Sequence, residues 1–408
     1  MPFVQRGPDI DGEATGDRSG WSVSLSSDGT IVAIGARHNG GNGTNAGHVR
    51  IYEWDSASSS WNQLGSDIDG EDNGDFSGDS VSLSPDGTVV AIGAERNDDN
   101  GDNSGHVRIY SWDGSTWNQR GSDIDGEDNG DNSGNSVSLS SDGTVVAIGG
   151  YLNDGTGTTA GHTRIYQWSG STWNQRGSDI DGEAAGDGSG KSVSLSSDGT
   201  VVAIGAYGNG SFSGHTRIYQ WSGSTWNQLG NDIDGEAAND ESGTSVSLSS
   251  DGTVVAIGAP KNDGNGNNSG HVRIYSWDGT NWNQRGSDID GEAADDLSGE
   301  SISLSSDGTV VAIGAHKNNG NGTNSGHTRI YQWDGSTWNQ LGSDVDGEAA
   351  SDESGYSVSL SGDGTTFAIG GKSNDGNGSN SGHVRVFSLP PTVQSISSST
   401  ADGTYKVG

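Results

Sequence analysis

One phrase, GHVRIY or a near copy, recurs seven times and places histidines at His48, His106, His162, His215, His271, His327 and His383. Successive spacings are 58, 56, 53, 56, 56 and 56 residues. Self-similarity at a nearly fixed period marks a repeat architecture. A unit of this length holds four short strands with their turns, the content of one propeller blade. In the second unit, Ser80 to Ser84 alternates apolar and polar residues, as a half-buried strand does. Asp86-Gly87 turns the chain. Thr88 to Ala94 is apolar on both faces, as expected of a strand held between packed sheets. A Gly/Asn/Asp loop leads to a third strand, His106 to Trp112, and Asp113-Gly114 leads to a fourth, Trp117 to Gly121. No segment keeps a helical period over ten residues.

These units predict an all-β, seven-bladed β-propeller with four antiparallel strands, A to D, in each blade. Strand A opens near Trp21, Asp79, Asn135, Lys191, Thr244, Glu300 and Tyr356. The last unit has no fourth strand after Phe387, whereas the chain begins with Phe3-Val4-Gln5-Arg6-Gly7, a match to WNQRG. The N-terminal strand, 3–7, is therefore expected to complete the last blade and protect its edge. Residues 1–389 read as the propeller, and 390–408, opening on Pro390-Pro391, as a linker and the start of a following module. The chain thus reads as one monomeric module of a longer protein.

Of 408 residues, 71 are Gly and only 28% are hydrophobic, which suits thin sheets joined by long polar loops. Lys and Arg number 19 against 55 Asp and Glu, a formal charge of −36. Such a surface repels nucleic acid and anionic membranes and attracts cations. No apolar run approaches the ~20 residues that cross a bilayer, and MPFVQRG lacks the pattern of a secretory signal. The chain has no cysteine, so no disulfide supports it.

A second recurring word, GSDIDGE at Gly65 to Glu71, packs three carboxylates into seven residues, with a fourth following at Asp75. Its first aspartate is Asp9, Asp67, Asp123, Asp179, Asp232, Asp288 or Asp344. The second is Asp11, Asp69, Asp125, Asp181, Asp234, Asp290 or Asp346. The glutamate is Glu13, Glu71, Glu127, Glu183, Glu236, Glu292 or Glu348, and the last aspartate Asp17, Asp75, Asp131, Asp187, Asp240, Asp296 or Asp352. Strands alternate in direction, so the D–A loops carrying this word share one face with the long Asn/Gly B–C loops. There they are expected to ring one mouth of the propeller. Oxygen donors at alternate residues of a Gly-containing turn suit calcium. The competing reading is that these aspartates cap backbone N–H groups or pair with the strand-C arginine, such as Arg108. The strand-C histidines and the paired tryptophans, such as Trp112 and Trp117, read as packing residues, and the Asn/Gly loops as plain turns.

Three positions vary freely between the units, all expected at the same mouth. They contribute candidate ligand-binding residues: Trp21, Lys191 and Tyr356 at the opening of strand A; Arg18 and Phe76 before the Ser-Gly step; Arg37, Tyr151, Tyr207, His316 and Lys372 after strand B. Rigid scaffolds commonly carry specificity on such loops, and aromatic and Arg residues are common anchors. Drift at exposed positions is the alternative.

The stretch Ser77 to Trp112, SGDSVSLSPDGTVVAIGAERNDDNGDNSGHVRIYSW, resembles an FG-GAP repeat, the blade motif of integrin α-type propellers and of many bacterial and algal surface proteins. Ser77-Gly78 stands for the usual Phe-Gly, Ala91 to Ala94 matches the AVGA core, and Ala259-Pro260 keeps the GAP ending. The resemblance covers residues 3 to 387. It implies a propeller with a partner on the loop-rich face, hence an extracellular or cell-surface setting. The family's calcium loop between strands A and B is reduced here to SSDGT, as at Ser141 to Thr144, and is not carried over. The expected role is a non-catalytic binding or adhesion module, with calcium as a candidate cofactor and an extracellular protein or glycan as partner. A lectin-like propeller and a structural spacer or engineered scaffold are the alternatives. An enzyme is not expected, because a catalytic site normally occurs once and these groups occur seven times.

Overall fold

Each repeat folds as its alternation dictates. In a computed structural model, which describes residues 3–389, the second repeat forms strand A at Ser80–Leu83, B at Val89–Ala94, C at His106–Trp112 and D at Trp117–Gln119. The sheet order is D-C-B-A, with antiparallel neighbours. Seven such sheets form the blades of a β-propeller. In the last blade, Val4–Gln5 pairs antiparallel with His383–Ser388, so the N-terminal strand supplies strand D and closes the ring. The linker and following module expected at 390–408 lie outside the described residues. Helix among the described residues is a single turn, Asn209–Phe212, in the shortened B–C loop of blade four.

Strand B is apolar on both faces because each face meets a different neighbour. Val90 and Ile92 pack on Ala33, Val49 and Ile51 of blade one, while Val89 and Ala91 pack on Val137, Leu139 and Ile148 of blade three. Seven clusters of this kind, one per seam, replace a single central core. The glycine of each IGA or IGG step allows the close approach: a Cβ on Gly93 would collide with the Gly134 carbonyl of the next blade. The innermost strands are also tied in a ring. Leu83 N–H donates to Ser24 Oγ at 2.9 Å and Leu139 N–H to Ser82 Oγ at 3.0 Å, and Leu25 N–H to Ser359 Oγ at 2.9 Å joins first and last blades.

The outer strand does more than the sequence suggested. After strand D, Ile124–Asp125 pairs again with strand C, Asp125 opposite His106 and Ile124 opposite Val107. All seven blades share this return: in six it is a separate two-residue strand, and in the sixth blade it joins strand D as one long strand, Trp338–Asp346. The Ile-Asp or Val-Asp step of the acidic word is therefore sheet, with its isoleucine or valine buried in the seam.

Candidate functional site

The return strand gives each carboxylate of the acidic word a different partner. In the loop after blade one, Gln63 Nε2 donates to Asp67 Oδ1 at 2.6 Å, and the other Asp67 oxygen lies 3.6 Å from His48 Nδ1 of the same blade. Glu71 reaches across the seam instead, 3.8 Å from His106 Nδ1 and 3.5 Å from Arg108 of blade two. The Asp69 carbonyl accepts from Arg108 at 2.6 Å. Asp75 turns inward, accepts the Asp72 and Glu71 N–H groups at 2.8 and 3.2 Å, and meets the Asn97 amide. Burial pushes the Asp69, Glu71 and Asp75 carboxyls up. The last aspartates, Asp17, Asp131, Asp187, Asp240, Asp296 and Asp352, are buried caps of the same kind.

The four carboxylates expected around one cation are thus shared between two blades. The histidines, expected only to pack, are where they meet. Glu13, His48 and Asp67 converge, as do Glu127, His162 and Asp179, Glu183, His215 and Asp232, and Glu348, His383 and Asp9. The strand-C histidines are at most 1% exposed. Burial pushes the His106 imidazole down to about 3 and those of His48, His162 and His327 to about 4, so these rings are neutral near pH 7. The Asn/Gly loops are also more than turns. Asn42 donates to the Gly70 carbonyl at 2.8 Å and Asn100 to that of Gly126 at 2.7 Å, each pinning the acidic loop of its own blade.

The varying positions meet on the axis. Trp21, Arg37, Tyr151, Lys191 and Tyr356 line a polar cavity of about 350 Å³ at the channel mouth, together with Asp79, Glu95, Asn135 and Glu300. Lys372 lies over the Tyr356 ring at 3.3 Å and the Trp21 ring at 4.6 Å, and His316 meets Tyr356 edge-on at 5.3 Å. Arg37 stacks between Trp21 and Phe76, both at 4.3 Å, and Arg18 lies 5.9 Å from Trp21. On the other side, Lys191 covers Tyr151, which packs toward Tyr207.

The mouth is not the freely exposed rim expected from loop positions. Arg37, Phe76, Asp79, Glu95, His316 and Lys372 are each less than a tenth exposed. Residues about 56 positions apart in the chain pack on one another here because strand A is innermost. Arg37 binds Asp79 and Glu95, and Glu353 binds both Lys317 and Lys372. Burial and Glu95 hold the Asp79 carboxyl above its ordinary range against the pull of Arg37. Burial lowers the Lys372 ammonium to about 8, against Glu353. The acidic partners Asp79, Glu95, Glu300 and Glu353 were not among the candidate residues, although they occupy the same varying positions.

Residues 10–52 and 233–275 match the family model described as FG-GAP repeat. No curated protein matches the chain. The two matched segments are in the same frame, each running from the return strand of one blade through strands A, B and C of the next. FG-GAP repeats typically belong to extracellular proteins. Among the described residues, no helix is long and apolar enough to cross a membrane. The chain is a seven-bladed β-propeller carrying FG-GAP repeats, a fold that suggests a protein-interaction module.

Proposed function

We propose that this propeller is a non-catalytic, extracellular binding and adhesion module that engages its partner, a protein or glycan, at the mouth of the central channel. One observation carries the reading: the positions that differ between blades meet at this mouth, while the surrounding scaffold repeats. Charge supports it. Of the 19 Lys and Arg, those built into the repeat are the strand-C arginines and Arg6, Arg120, Arg176 and Arg285, which stack on tryptophans of the next blade. Lys406 lies outside the described residues. Every remaining cation, namely Arg18, Arg37, Arg96, Lys191, Lys261, Lys317 and Lys372, lies at a varying position or directly after one. Positive charge therefore gathers near the axis of a molecule with a formal charge of −36. The acidic surroundings repel a partner's anionic group everywhere but at this centre, where Arg18 and Lys191 join the carboxylate-paired Arg37, Arg96, Lys261, Lys317 and Lys372, so such a group finds complementary charge gathered only there. Trp21 and Tyr356 offer the aromatic anchor beside it.

A panel of surface proteins and an array of neutral and acidic glycans test the reading. The expected result is a ligand whose binding weakens with salt and falls at least tenfold in Arg18→Ala/Trp21→Ala. Full binding by that variant removes the mouth as the site. Selective binding of neutral glycans lost with Trp21→Ala supports the lectin-like alternative, and an empty panel supports a spacer. Calcium in the acidic loops is a separate part of the proposal. A higher unfolding midpoint with calcium than in EDTA or magnesium supports it, and no shift removes it.

A further inference from the structure

Beside its histidine, the seam between blades one and two carries a carboxylate that the equivalent places of other blades lack. Where this blade has Asp99, the equivalent places hold Gly41, Gly155, Gly264, Gly320 and Gly376, and blade four has a shorter loop. Donor atoms of Glu71, Asp99, His106 and Asp123 all lie within 4.8 Å of one another. His106 Nδ1 faces Glu71 Oε2 at 3.8 Å and Asp123 Oδ2 at 3.9 Å. The His106 ring is 0% exposed, and its Nδ1 has no hydrogen-bond partner. Beside this group, Asp125 Oδ1 is also buried without a partner. Carboxylates crowded on an unpartnered imidazole nitrogen are costly as they stand.

We infer that this seam binds one divalent cation of the zinc or manganese class, ligated by His106 Nδ1 and the carboxylates of Glu71, Asp99 and Asp123. Each carboxylate is oriented from behind, as ligands in metal sites are. Arg108 lies 3.5 Å from Glu71 Oε1, Gln119 donates to the far oxygen of Asp123, and the Asn97 amide lies 3.4 Å from Asp99. Binding at Nδ1 requires a neutral ring with its proton on Nε2. The burial that disfavours imidazolium supplies the neutral ring. A tetrahedral zinc site sets its ligands about 3.3 Å apart, so the two carboxylates facing His106 Nδ1 at 3.8 and 3.9 Å must close by about half an ångström, and the widest pair of the group by up to about 1.5 Å. The nitrogen donor is what separates this site from a calcium loop, since imidazole favours zinc-class ions over the hard cations. Other seams offer the same histidine with fewer carboxylates and are expected to bind more weakly.

The test uses the full chain, stripped with EDTA and titrated calorimetrically with zinc, manganese, calcium and magnesium chlorides in turn. One site is expected to bind zinc or manganese at least tenfold more tightly than calcium. The Asp99→Gly variant, which makes this blade like the others and changes an exposed residue, is expected to lose that tight site while keeping its fold. Cobalt(II) absorption and the His106 side-chain nitrogen resonances report whether Nδ1 is the ligand. Unchanged tight binding in Asp99→Gly, equal affinity for calcium, or a His106 resonance that does not move overturns the assignment.

Discussion

The seams and the mouth are built from the same seven backbones, yet they obey different rules. At a seam, each blade presents the same strand-C histidine and arginine, the same Glu and Asp, and the same apolar strand B. At the mouth, seven equivalent backbone positions carry Trp, Asp, Asn, Lys, Thr, Glu and Tyr. A property needed to hold neighbouring blades together must recur at every seam. A property needed once can be written only where copies are allowed to differ. The axis is such a place, because it is the one region where residues of all seven blades come within reach of each other. The arrangement therefore separates stability, carried by repetition, from recognition, carried by departure from it.

Acid should break the seams first, and with the largest effect. Burial holds the folded imidazoles at about 4 in His48, His162 and His327 and about 3 in His106, below their ordinary 6.5. Between those values the unfolded chain binds protons that the folded chain refuses. Stability is therefore full above about 6.5 and lost as pH falls toward 4. Each of these four histidines contributes on the order of 1–3 kcal/mol, and the four act together. Urea unfolding at pH 7, 5.5 and 4.5 should show the midpoint falling steeply through this window, with one cooperative transition. A flat profile would mean that the seam carboxylates compensate the imidazolium charge, and the seams would then be ionic rather than packed.

How far each region could be read from the chain follows from distance. The blades were legible because their signals are local: alternation in Ser80 to Ser84, the Asp86-Gly87 turn, the doubly apolar TVVAIGA. The closure by Val4–Gln5 was legible because WNQRG has a recognisable shape. The return strand was missed because Ile124–Asp125 is two residues long and its pairing with His106 and Val107 has no local signature. The split of Glu71 from Asp67 was missed for a related reason. Glu71 meets His106 only across a seam, and neighbours in sequence gave no hint that they belong to different blades. At the mouth, the identity of the varying residues was legible, but their burial was not. Free variation suggested exposure, whereas convergence on the axis encloses Arg37, Phe76 and Lys372.

The mouth can be probed through a smaller effect, in the backbone itself. The residue before each Ser-Gly step adopts a left-handed conformation in every blade: Arg18, Phe76, Asn132, Gly188, Glu241, Leu297 and Glu353 all have φ between 53° and 60°. Glycine and asparagine visit this region readily, whereas branched or long side chains pay roughly 1 kcal/mol there. Only blades three and four use the residue the backbone prefers. If the other side chains are kept for recognition, removing one should relieve strain that packing does not repay. Leu297→Gly is then expected to give a net gain in stability below about 1 kcal/mol, since the extra unfolded-state freedom of glycine offsets part of the relieved strain, and Asn132→Gly to change it by less than about 0.5 kcal/mol. Chemical denaturation of the two variants against the parent measures the difference. A clear loss in Leu297→Gly would show that Leu297 is held by its packing, and this position would then belong with the seams and not with the mouth.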